Sequence, residues 1–251
     1  MKQKDPFQFT AVTIAFPMLL VLIIWVVYWL ELRFSINLSS YGVRPRTLSG
    51  LSGIIFSPFL HSSLSHLYHN TIPLFLLSLG LFYFYRPIAI KVLVLGILIS
   101  GLLTWLIGRP ANHIGASGLI YVLVSFIFFK GVRTKYYRLI ALSLVVVFIY
   151  GSMIWYIFPV KENMSWEGHL AGLITGVIFA FFINAKLFIP EKYHWEGDNY
   201  NETEDPFLQH FDENGNFVPT SEMENAHDEG NTSIRYNYQF IKSKKESSDE
   251  E

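Results

Sequence analysis

Ser117 lies among small residues in Gly115-Ala116-Ser117-Gly118 and opens an apolar run. About fifty positions later His169 opens another, in Gly168-His169-Leu170-Ala171-Gly172, and His66 and Asn70 stand near the start of an earlier one. Polar groups inside lipid-facing segments are costly and mark function by default. The types present suit acyl transfer. A serine hydroxyl is a weak nucleophile and needs a base within hydrogen-bond reach, usually an imidazole. Attack on a carbonyl also needs donors aimed at the developing oxyanion. His66 and Asn70 are spaced i, i+4 and share a helix face. The amide of Ser117, at a helix start, has no carbonyl partner within its own helix. Together these supply a nucleophile, a base and three donors.

The acids restrict the mechanism. Before Glu191 the chain has only Asp5, Glu31, Glu162 and Glu167, none in the interior of an apolar run. Glu167 reads as lying just outside the run that His169 opens. A buried triad carboxylate is therefore not expected, and Ser117 with His169 forms a dyad. Tyr121 follows Ser117 by four residues on the same face. It either stacks on His169 and orients it, or is a packed interior tyrosine. Gly115 and Gly118 in one run, and Gly172 and Gly176 in the other, have the small-residue pattern of close helix packing in membranes. Such packing would bring Ser117 and His169 together. His61 reads as a supporting residue, and His69, turned away from Asn70, as structural.

The elements that must position these groups are membrane helices. The chain has 251 residues, 51% hydrophobic and without cysteine, above the apolar share of about 45–50% usual for soluble domains. Disulfides, thiolate metal sites and a cysteine nucleophile are excluded. Charge is segregated: residues up to 190 carry 14 basic and 4 acidic side chains, and residues from 191 onward carry 5 and 16. We therefore expect a membrane domain over 1–190 and an acidic tail over 191–251. The tail reads as largely disordered or as carrying a small docking element, since Asp212-Glu213-Asn214-Gly215 signals a turn. Tyr236, Tyr238, Phe240 and Ile241 alternate like a strand.

A span needs about 20 apolar residues. Six candidates are Phe9–Leu30, Leu64–Tyr85, Val92–Ile107, Ser117–Phe129 (ended by Lys130), Leu139–Val160 and Gly168–Phe188. The first exceeds the length of a signal-peptide core and reads as a retained helix. The fourth is short, so residues 108–116 are expected as non-helical backbone at membrane depth, tolerated only where protein buries it or water reaches it. The loop from Glu31 to Pro58 reads as an amphipathic element in the outer interface. With the amino terminus inside, ten Lys and Arg residues fall on the inner side and five on the outer, so both termini are expected in the cytoplasm. His66, Ser117 and His169 then share the outer leaflet. The absence of organelle-targeting features points to a bacterial inner (plasma) membrane.

Together, His61-x-x-x-x-His66-x-x-x-Asn70, Gly115-x-Ser117-Gly118 with Tyr121, and His169-x-x-Gly172 resemble the rhomboid family of intramembrane serine proteases. Tyr41-Gly42-Val43-Arg44-Pro45 and Ser57-Pro58-Phe59-Leu60-His61 are similar to the family's first-loop pattern. The resemblance covers roughly residues 9–189. It implies an all-α polytopic bundle of six transmembrane helices with a short fourth, open to the outside. It implies Ser117 as nucleophile, His169 as base, His66 and Asn70 in the oxyanion hole, and Tyr121 against His169. The implied partners are single-span membrane proteins, cut near the outer end of their helix, and the lipid bilayer. No nucleic acid, metal or other cofactor is implied. A Trp-Arg pair found in the first loop of some members is absent. An inactive rhomboid-like scaffold is the nearest alternative. A transporter would want intramembrane carboxylates, and a zinc protease His-Glu-x-x-His; the spans contain neither.

Overall fold

The computed structural model describes residues 7, 9–161, 164–184, 193, 195, 197 and 200–220. The chain forms two units, 1–189 and 190–251.

The first unit is built from helices α1 (Ala11–Phe34), α2 (Gly53–Phe56), α3 (Leu64–Phe84), α4 (Ala89–Ile107), α5 (Ser117–Arg133), α6 (Tyr137–Tyr150) and α7 (Trp166–Phe182). Four segments are long and apolar enough to cross a membrane: Ala11–Phe34, Leu64–Phe84, Arg86–Ile107 and Tyr137–Ile157. Helices α5 and α7 have 17 residues each. At about 1.5 Å per residue they reach about 25 Å, short of a hydrocarbon core of about 30 Å. Four of the six expected spans are thus long enough to cross in this multi-pass membrane protein, and the other two correspond to the shorter helices α5 and α7.

Helix α5 is the centre of the unit. Ten of its 17 residues are buried, because it packs on α3, α4, α6 and α7, and most extensively on α7. Helix α1 lies at the edge and packs chiefly on α3. It leaves Ile14, Met18, Leu22, Trp25 and Trp29 exposed, as a lipid-facing helix does.

Several expected boundaries move by two to four residues, the first span ending at Phe34 and the third starting at Ala89, and three differences go further. Lys130 does not end its helix, which runs on to Arg133. Its side chain is buried and Nζ donates to the carbonyls of Ala180 (3.3 Å) and Ile183 (2.7 Å). These belong to the last turn of α7 and the residue after it, where the helix dipole favours a cation. The fifth span is α-helical only to Tyr150 and continues as a 3-10 helix over Gly151–Ile157. The sixth helix ends at Phe182; residues 185–188, where the expected span continues, lie outside the described residues.

The first loop folds through short turns at Ser39–Tyr41, Ser49–Leu51 and Ser57–Phe59 and through α2. Leu48, Ile55 and Phe56 are exposed, while Val43 and His113 exchange two backbone hydrogen bonds of 2.9 Å. The first loop is thereby tied to the non-helical segment that leads into α5.

In the second unit, Glu202–Glu204 and Leu208–His210 form 3-10 turns. The turn signalled at Asp212-Glu213-Asn214-Gly215 is present: the Asp212 carboxylate accepts from the amides of Asn214 (2.9 Å) and Asn216 (2.8 Å), and Phe211 bridges to Phe217. Bonds from the Asn216 side chain and backbone hold the Asp212 carboxyl below its usual range. The expected strand over residues 236–241 lies outside the described residues.

Candidate active site

Three helix starts meet at one end of the bundle. Ser63 caps α3 by accepting from the His66 amide at 3.1 Å. Ser165 caps α7 by accepting from the Gly168 amide at 3.3 Å. Helix α5 begins directly at Ser117, after Gly115 with φ of 112°, a conformation that favours glycine.

The hydroxyl of Ser117 lies 3.0 Å from His169 Nε2. On the other side of the ring, Nδ1 lies 2.9 Å from the carbonyl oxygen of Tyr156. A carbonyl only accepts, so Nδ1 carries the proton and Nε2 presents its lone pair to the serine. His169 is buried, 6% exposed. Tyr121 stacks on it, with ring centroids 4.4 Å apart and planes 15° from parallel. The Tyr121 hydroxyl donates to the Met153 carbonyl at 2.5 Å. Of the two sequence readings of Tyr121, the stacked one describes its geometry.

His66 and Asn70 face the same spot. A Cβ at Gly115 would stand 2.7 Å from His66 Cε1 and Nε2, and 3.5 Å from Asn70 Nδ2. Asn70 is buried and its Nδ2 has no hydrogen-bond partner among the described residues. Buried donors are ordinarily paired, so this amide is a donor that the described residues leave available beside His66. His61 packs beside His66, with centroids 5.1 Å apart. Burial, with His66 next to it, pulls its pKa from 6.5 down to about 4. His69 is exposed and bonds back to the Ser65 carbonyl at 2.6 Å.

The glycines divide by task. A Cβ on Gly172 would collide with the Gly118 carbonyl and come within 2.9 Å of Tyr121 Cβ; one on Gly176 would collide with Ser125 Oγ and the Val122 carbonyl. These positions let α5 and α7 touch backbone to backbone. Gly118 contributes its carbonyl to that contact, whereas a Cβ of its own would find ordinary room at 3.4 Å from Gly168 O. Gly115 differs from the helix-packing expectation: it precedes α5, takes a positive φ and makes way for the His66 ring.

Glu167 also differs from its expected place outside the helix. It lies in the first turn of α7 and is 1% exposed. It accepts from the Arg109 amide (3.1 Å) and guanidinium (3.3 Å) and does not orient the His169 ring, whose Nδ1 is held by Tyr156. No residue type marks a backbone carbonyl in advance, so sequence reading missed Tyr156 and Met153. It also passed over Arg109, His113 and Ser165, which link the segment before α5 to the start of α7. A cavity of about 30 Å³ with a mixed polar and apolar lining, room for about two waters, lies beside Ser117. It is lined by Ser57, Ser100, Thr104, His113, Ser165 and Gly168, among others. Among the described residues no cluster of three or more His, Asp or Glu side chains could hold a metal ion.

An uncharacterized protein of Mycobacterium tuberculosis is 41% identical over 158 residues, covering 57% of this chain and 64% of its own length. One from Mycobacterium leprae is 35% identical over 160 residues, covering 59% and 62%. The chain thus matches less than two thirds of the length of these relatives. A family model of the rhomboid domain matches residues 48–186. With that match over more than half of its length, the chain belongs to the rhomboid family.

Proposed function

We propose that the protein is an intramembrane serine endopeptidase that cleaves single-span membrane proteins near the outer end of their helix. The observation that carries this reading is the 3.0 Å approach of Ser117 Oγ to His169 Nε2, with the opposite ring nitrogen fixed by a carbonyl. Ser117 Oγ attacks the scissile carbonyl carbon as its proton passes to His169 Nε2. The oxyanion receives hydrogen bonds from Asn70 Nδ2, the Ser117 amide and His66. With the Ser62 hydroxyl, 3.3 Å away, donating to its Nδ1, His66 keeps Nε2–H as a donor. Collapse of the tetrahedral intermediate breaks the C–N bond, and His169 returns the proton to the leaving amine. Water, activated by the same imidazole, then hydrolyses the acyl-enzyme and frees Ser117. The cavity beside the serine, with Ser57, Ser100, Thr104, His113 and Ser165 in its lining, offers a place to hold that water.

In this reading the short helices α5 and α7 complete a six-span bundle in a bacterial inner membrane. Both termini are cytoplasmic, and the site is sunk below the outer surface. The test is covalent labelling of the purified full chain with a fluorophosphonate, followed by peptide mass spectrometry. Ser117 is the expected adduct, and labelling and cleavage of a single-span substrate should persist in a metal chelator. Cleavage-competent protein with no adduct on Ser117 would overturn the assignment.

A further inference from the structure

The dyad joins two helix starts separated by 52 residues in sequence, and helix ends are where chain positions are least fixed. A second set of polar contacts spans the same gap. His113 Nε2 lies 3.1 Å from the Arg109 carbonyl, so Nε2 carries the ring proton and Nδ1 accepts. The donor at Nδ1 is the Ser165 hydroxyl, 2.6 Å away, and the same hydroxyl oxygen accepts from the Gly168 amide. Every hydrogen in this chain therefore has one direction: Gly168 N–H to Ser165, Ser165 to His113, His113 to Arg109. Beside it the Arg109 guanidinium donates to Met164 O at 2.8 Å and to both Glu167 oxygens at 3.3 and 3.4 Å. The Arg109 amide adds a bond to Glu167 at 3.1 Å. Residues 109 and 113 are thus bonded to 164, 165 and 167, immediately before Ser117 on one side and His169 on the other.

The charge distribution is uneven. The Glu167 side chain is 1% exposed and that of Arg109 is 37% exposed. A buried carboxylate gains little stability over an apolar residue of similar size, and its best-attested use is to fix register. Packing of α5 on α7 through glycines restricts their placement along the shared seam. The directional bonds add a fixed relation at the end where Ser117 and His169 meet.

We infer that Arg109 and Glu167, with His113 and Ser165, are positioning residues that set the axial register of α7 against the entry to α5 and so hold His169 Nε2 on Ser117 Oγ. Their part in catalysis rests on the protease reading above; their effect on the imidazole does not. The experiment is ¹⁵N NMR of histidine-labelled full chain in micelles, with Ser117→Ala marking the His169 Nε2 resonance that has lost its serine. In Glu167→Gln and Arg109→Gln that resonance should move toward the Ser117→Ala position. The rate constant for fluorophosphonate labelling, per folded molecule, should fall by about 10- to 100-fold, the scale of a misplacement near 1 Å. A purely structural role would lower the melting midpoint and the folded fraction but leave both readouts of folded protein at wild-type values, and that result overturns the inference. Should Glu167→Gln not fold, Arg109→Gln, at a partly exposed side chain, and Ser165→Ala decide by the same readouts. If the wild type shows the His169–Ser117 signature and these variants lose it, yet no form labels, the protease reading fails and the register inference stands.

Discussion

Two helix pairs in this protein are built on opposite plans. Helices α1 and α3 meet through bulk: Phe16 stacks on Phe82 at 4.8 Å, and one side-chain hydrogen bond, Trp25 to Thr71 at 3.0 Å, joins them. Helices α5 and α7 meet through absence of bulk, at Gly118, Gly172 and Gly176, and through polar contacts at both ends. Lipid tails are as apolar as leucine, so apolar contact alone gives little reason for one placement over another. The first pair carries neither of the proposed reacting groups, Ser117 and His169. The second holds two atoms at bonding distance, and close backbone contact leaves little room for error.

The contrast makes graded predictions. Ser117→Ala or His169→Ala should lower cleavage of a single-span substrate by about 10⁴-fold or more, with the melting midpoint near wild type; comparable turnover by either purified variant would break the distinction. Asn70→Ala should lower kcat by about 100- to 1000-fold, the usual effect of losing one oxyanion donor, with KM little changed; a rise in KM at constant kcat would reassign Asn70 to substrate binding. Gly176→Leu should separate α5 from α7 and reduce both stability and activity, since overpacking costs about 1–3 kcal/mol; thermal unfolding in micelles with activity per folded molecule measures both. Phe16→Ala should have the smallest effect on turnover. Its loss of stability should fall short of the roughly 3–5 kcal/mol of a fully buried phenyl, and kcat per folded molecule should stay within about twofold of wild type, since helix α1 touches none of the reacting groups.

Much of this was legible in the sequence because polar residues contrast with apolar runs. Ser117, His169, His66 and Asn70 stand out for that reason, and the shortness of α5 follows from the distance between Ser117 and its basic end. What could not be read has a common cause: a partner far away in the chain. Lys130 looks like the end of a span until α7 supplies carbonyls for it, 50 and 53 residues on. Glu167 looks like an interfacial acid until Arg109 is found against it, 58 residues earlier. Gly115 looks like its packing neighbours until its backbone angle and the His66 ring are seen together. The Tyr156 carbonyl that fixes the base carries no side-chain signature at all.

Lys130 has a mechanical consequence. Two rods fastened at one point can swivel; fastened at both ends they can neither slide nor splay without tearing a joint. The contacts of Arg109 and His113 with Met164, Ser165 and Glu167 beside the dyad are one fastening, and the lysine, hooked over the far tip of α7, is the other. Sliding or splaying of α5 against α7 therefore has to break polar contacts at one end of the pair or the other.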